Sequence, residues 1–121
     1  MEIKNFLLVG LGGAAGSMLR YAGNLLIGNK NFPYATLLIN IAGSFIIGLV
    51  IGLSLKNETF ANNWKLFLAT GICGGFTTFS AFSFENLQLI QNGKYFLFIL
   101  YVLLSVLLGL AAAFTGYKIA A

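Results

Sequence analysis

The stretch Lys65-Leu-Phe-Leu-Ala-Thr-Gly-Ile-Cys-Gly-Gly-Phe-Thr-Thr-Phe-Ser-Ala-Phe-Ser-Phe-Glu85 holds 19 uncharged residues between two charges. A bilayer core about 30 Å thick is crossed by roughly 20 apolar residues of helix. Outward from this stretch the spacing recurs: 25 uncharged residues separate Lys30 from Lys56, and 23 separate Lys94 from Lys118. These runs predict transmembrane helices near 33–55, 65–91 and 95–117. A fourth helix is predicted near 5–27, interrupted by Arg20 close enough to its end for the guanidinium to snorkel toward headgroups. A cleaved leader would also place Lys4 before an apolar run, but Gly10, Gly12, Gly13 and Gly16 suit a helix-packing face better. The expected architecture is all-α: one transmembrane domain over 1–121 with four spans and short loops near 28–32, 56–64 and 92–94.

Composition supports this class. The chain is 59% hydrophobic and only 8% charged, against about 25% charged residues in a soluble domain. With no His and one Cys, a four-ligand zinc site and a His-based catalytic unit are both excluded, and no catalytic residue is expected. Cys73 has no partner for an intrachain disulfide. The seven Lys and Arg residues are scattered singly, which argues against nucleic acid as a partner. Four-span topology puts Lys4, Lys56, Lys65 and Lys118 on one side and Arg20, Lys30 and Lys94 on the other. Such weak positive-inside bias permits insertion both ways up, and two opposed copies would form an antiparallel, dual-topology homodimer.

Within the third span, Gly74 and Gly75 followed by Thr77 and Thr78 weaken the helix and predict a break near the bilayer midplane. Two readings stay open. One is a flexible, tightly packed helix; the other is unwound backbone whose carbonyls suit a hard cation such as Na+. Phe76, Phe79 and Phe82 form one stripe, and Thr77, Ser80 and Ser83 a neighbouring one. The rings either pack or face lipid, or they line a narrow path in which positive ring edges favour a small anion. Asn40 lies deep in the second span, as helix glue or as a pore amide. Tyr101 and Ser105 share a face of the fourth. Arg20 and Glu85 are the charges well inside spans, either paired or set in a vestibule that draws anions. Gly12 and Gly16, like Gly48 and Gly52, form G-x-x-x-G pairs that let helices approach closely.

Three segments in order resemble the Fluc/CrcB fluoride channel family: Gly12-Gly-Ala-Ala-Gly-Ser-Met-Leu-Arg-Tyr21, Thr36-Leu-Leu-Ile-Asn-Ile-Ala-Gly-Ser-Phe45 with Gly48, and Gly74-Gly-Phe-Thr-Thr-Phe-Ser-Ala-Phe-Ser83 with Glu85. The resemblance implies an antiparallel homodimer with two pores, exporting fluoride passively across the bacterial plasma membrane and conferring fluoride resistance. It places Phe79, Phe82, Asn40, Tyr101 and Ser105 along the pore, with Thr78 and Ser80 beside it. Arg20 matches a first-helix arginine, and Gly74 and Thr77 match residues whose carbonyls hold a structural Na+ at the dimer interface. Ala81 stands where the family often has Thr, Ala35 replaces a common Gly, and Ser17 a common Ala. A small proton-coupled multidrug exporter is the first alternative, but it needs a carboxylate deep in the first span, which holds none. A non-transporting membrane assembly protein is the second.

Overall fold

A computed structural model describes residues 2–121, and the described residues form helices and connecting turns with no strand. In chain order these are α1 (Ile3–Ile27), α2 (Tyr34–Lys56), a short α3 (Glu58–Asn63), a wide-turned π-helical segment π1 (Leu66–Cys73), a single turn α4 (Gly74–Phe76), α5 (Phe79–Gln91) and α6 (Tyr95–Ala120). Three stretches are long and apolar enough to cross a bilayer: Tyr34–Lys56, Leu66–Gln91 and Tyr95–Ala120. Their apolar surface is largely unburied within one chain. Only 6% of the most apolar window of the last stretch is covered, as expected of helices whose solvent is lipid.

α3 forms where the sequence reading placed only a loop. Asn57 caps it, its Oδ1 accepting the Phe60 amide at 3.0 Å, and Glu58 adds favourable charge in the first turn.

Glycine decides how the long helices pair. α1 lies alongside π1 and α4 in the same direction, with Gly12 against Gly71 and Gly16 against Ile72 and Phe76. α2 runs parallel to α6, with Gly48 against Ala113, Gly52 against Tyr117 and Gly116 against Phe45. These approaches are backbone to backbone, the contact small residues permit in lipid. A Cβ at Gly16 would stand 2.8 Å from the Phe76 amide nitrogen, and neither helix can yield without moving its neighbours. Gly16→Ala is therefore expected to cost about 1–3 kcal/mol through overpacking. Gly10 faces open space, so Gly10→Ala is expected to be neutral or to stabilise by up to about 1 kcal/mol. Thermal denaturation of the two variants in detergent reads the difference.

The core proper is small: Phe32, Leu37, Leu89 and Tyr101, flanked by Ile41, Phe82, Leu97, Phe98, Leu100 and Leu104. It sits at one end of the bundle, where the α1–α2 loop folds over α5 and α6.

Candidate functional site

Between α4 and α5 the chain leaves the helix for two residues. Thr77 (φ −80°, ψ 157°) and Thr78 (φ −149°, ψ 125°) are extended, whereas Gly74 remains helical (φ −62°, ψ −37°). Of the four residues read as weakening the helix, the glycines stay helical and the β-branched threonines, which favour extended backbone, carry the interruption. Asn40 on α2 meets the interruption. Its Oδ1 accepts the Thr78 amide at 2.9 Å and its Nδ2 donates to the Thr78 carbonyl at 3.1 Å. One side-chain amide thereby replaces both hydrogen bonds that the helix has lost at that residue. The Thr78 hydroxyl caps α5 by accepting the Ala81 amide at 3.2 Å, and lies 3.2 Å from the Ser80 hydroxyl.

These diversions leave two carbonyls without their helical partners. Thr78 N–H, four residues after Gly74, turns to Asn40, and Ala81 N–H, four residues after Thr77, turns to the Thr78 hydroxyl. Gly74 and Thr77 both line an open groove of about 360 Å³ with Asn40, Gly43, Ser44 and Phe79. Oxygen donors of this kind suit a hard, weakly charged cation. Among the described residues no cluster of His, Cys, Asp and Glu has the makings of a metal site, so any cation here would rest on uncharged oxygens.

From the interruption an aromatic ladder leads toward one end of the bundle. The Phe79 and Phe82 ring centroids are 5.7 Å apart, Phe82 lies 5.0 Å from Tyr101, and Tyr101 meets Phe32 edge-on at 5.4 Å. Phe82 is half-buried against the core, while Phe79 is 78% exposed and stands in the groove. Tyr101 is wholly buried, and its hydroxyl donates to Glu85 Oε1 at 2.8 Å. Glu85 Oε2 accepts from the Thr36 hydroxyl at 2.7 Å and from Asn29 Nδ2 at 3.0 Å. Both carboxylate oxygens are thus engaged by donors from three different parts of the chain. One turn beyond Tyr101, the Ser105 hydroxyl is buried and unpartnered. A buried orphan hydroxyl is costly unless something passes or sits there to receive its proton.

The residues singled out in the sequence therefore fall into two groups bridged by Phe79 and Phe82. Asn40, Thr78, Ser80, Gly74 and Thr77 gather at the interruption, while Tyr101 and Glu85 gather at the bundle end, with Ser105 one turn along α6. Arg20 reaches the edge of the interruption from α1. It does not pair with Glu85; its Nε donates to the Gly75 carbonyl at 3.1 Å. The close approach of α1 at Gly13 and Gly16 brings the guanidinium onto a carbonyl past which the helix does not continue.

Two contributors escaped the sequence reading. Thr36 stands one helical turn before Asn40 and shares its face, a signal that was present. Asn29 lies in a loop and has no periodicity to reveal it.

Apolar spans, helices joined through glycine, and a polar interruption backed by an asparagine define a small all-helical integral membrane protein. Family comparison places it more closely. The family model described as CrcB-like protein, Camphor Resistance (CrcB), matches residues 7–117, and the chain belongs to that family. It is similar to the fluoride-specific ion channel FluC of Azobacteroides pseudotrichonymphae, 48% identical over 95% of this chain and 94% of that one. It is also similar to the proteins of the same name from Flavobacterium psychrophilum, 49% identical over 98% of each chain, and from a strain of Thermus thermophilus, 47% identical over 98% and 95%.

Proposed function

We propose that this chain is a fluoride-selective channel that lets fluoride leave the bacterial cytoplasm passively across the plasma membrane and so confers fluoride resistance. The observation that carries the reading is the ladder Phe79–Phe82–Tyr101, which runs from the helix interruption to Glu85 in a chain similar to channels named for fluoride. A small anion entering a narrow path must exchange water for protein donors. Ring edges and the hydroxyls of Ser80, Thr78 and Ser105 supply partial positive charge without a fixed cation that would trap the ion, while the Tyr101 hydroxyl stays committed to Glu85 and its ring lines the path. Asn40 keeps the interruption open and offers its second amide proton to the passing ion.

In this reading α1, α2, the π1–α5 stretch and α6 are four spans of one transmembrane domain, with the interruption near the bilayer midplane. Two copies inserted in opposite directions form an antiparallel homodimer. The groove holding Gly74, Thr77 and Phe79, open in one chain, supports this assembly. A twofold axis through it would double two free carbonyls into four oxygen donors, a set that would hold a structural Na+ and supply electrostatic glue between the copies. A proton-coupled exporter is not favoured, because α1 carries no acidic residue and Glu85 is engaged by three donors.

The test is purified protein in liposomes loaded with both fluoride and chloride, with fluoride release followed by an ion-selective electrode. Fluoride release without a pH gradient, leaving chloride inside, is the expected result. Release only under a proton gradient would move the reading to a carrier, and no release would leave an assembly protein.

A further inference from the structure

The α1–α2 loop reaches over the end of the aromatic ladder, and one side chain in it serves two elements at once. Asn29 Oδ1 accepts the Ala35 amide at 2.9 Å, capping the start of α2, while its Nδ2 donates to Glu85 Oε2 at 3.0 Å. The cap fixes the orientation of the amide, because a flipped side chain would turn NH2 toward the Ala35 N–H and oxygen toward a carboxylate. Phe32 in the same loop, 7% exposed, closes edge-on over Tyr101. Asn29, Lys30, Phe32, Glu85 and Lys94 line one polar basin of about 320 Å³ at this mouth.

We infer that Asn29 is a positioning residue of the pore mouth: it ties the Glu85 carboxylate to the α1–α2 loop so that its charge stays clear of the ion's path. The inference rests on the channel reading above. A carboxylate facing an anion path repels the ion, and both position and partners set how strongly. Three donors spread over two oxygens, from α6, α2 and the loop, hold Glu85 in one place. With the Asn29 donor gone, only Tyr101 and Thr36 restrain it. Oε2, held then by Thr36 alone, gains freedom toward the basin, and the charge is no longer fixed in one place.

Asn29→Asp separates this role from the cap. An aspartate caps α2 at least as well, but it cannot donate to Glu85 and sets a second carboxylate beside it. A purely structural Asn29 predicts wild-type flux for Asn29→Asp. The positioning role predicts a fall in fluoride efflux of about three- to fivefold, moderate because water reaches this exposed bond. Asn29→Asp/Glu85→Gln supplies the rescue. There the introduced aspartate accepts from both Ala35 N–H and the introduced glutamine amide. Tyr101 still donates to the glutamine oxygen, and the Thr36 hydroxyl, donor and acceptor alike, turns round.

The experiment is a double-mutant cycle of electrode-read efflux on wild type, Asn29→Asp, Glu85→Gln and the double variant in proteoliposomes. The expected result is a double variant faster than Asn29→Asp by more than Glu85→Gln changes the wild type. Additive effects, or wild-type flux in Asn29→Asp, overturn the assignment. Wild type without fluoride flux instead removes the channel reading and is told apart by that control. Asn29→Ser, one bond shorter, gives up the reach to Glu85 and to the Ala35 amide without adding a charge, so, read beside thermal stability, it decides the question if the aspartate variant does not assemble. Reduced flux at unchanged thermal stability supports the role, and wild-type flux overturns it.

Discussion

Phe82→Ile is expected to slow fluoride efflux from proteoliposomes about tenfold or more, the loss that follows when a barrier rises by about 1.4 kcal/mol. The ring sits between Phe79 and Tyr101, at 5.7 Å and 5.0 Å between centroids. Isoleucine keeps apolar bulk at this half-buried position but presents no polarised C–H edge. The chain should therefore assemble while the halide loses a stabilising partner. Phe79→Ile is the sharper control on geometry. Phe79 is 78% exposed in the single chain, so its replacement should leave stability almost unchanged. If its ring lines the path, flux falls as with Phe82→Ile. If it faces acyl chains, flux stays at the wild-type value and the ring-lined path is wrong. Gel filtration of each variant in detergent separates slow conduction from failed assembly.

Asn40→Ala is expected to abolish conduction and destabilise the fold together. Removing the side-chain amide strands the Thr78 N–H and C=O, both of which it satisfies. Each backbone group left unpaired in an apolar setting costs about 1–3 kcal/mol, and lipid offers no water in compensation. The extended pair at Thr77–Thr78 should then relax toward continuous helix, drawing the Gly74 and Thr77 carbonyls back into intrahelical bonds. Asn40→Asp divides the two effects. Its oxygen still accepts the Thr78 amide, so stability should be partly kept. A fixed negative charge beside the path should nonetheless leave flux as low as in the alanine variant. A melting temperature and an efflux rate on each protein suffice, and conduction at the wild-type rate in Asn40→Asp would contradict the placement of Asn40 on the path.

Much of the chemistry is visible in single residues, because lipid makes every polar group in a span conspicuous. Asn40, Glu85, Tyr101 and Ser105 stand out against apolar neighbours, and the three-residue repeat of Phe79 and Phe82 follows from helical period. Their partnerships are not legible in the same way. Tyr101 and Glu85 are 16 positions apart on different helices, and no local pattern announces that bond. Arg20 shows the limit most clearly. Charge alone leaves it a choice of Glu85, headgroups or anions, and its partner proves to be an uncharged carbonyl at Gly75. That carbonyl is within reach because glycines on both helices bring α1 against α4. The short helix after Asn57 is hidden for another reason: six residues carry too little apolar periodicity to be read, and the cap supplies the stop and start.

The membrane class, the lengths of the apolar runs and the candidate polar positions all follow from the order of residues. These depend on local quantities, namely charge spacing against bilayer thickness and helical period, which need no knowledge of neighbours. Which amide closes the interruption, which carbonyls are left free, and which three donors hold Glu85 are settled only in the packed molecule. Those are contests among hydrogen-bond partners brought within about 3 Å by helices distant in sequence, and the glycine seams between helices determine who wins them.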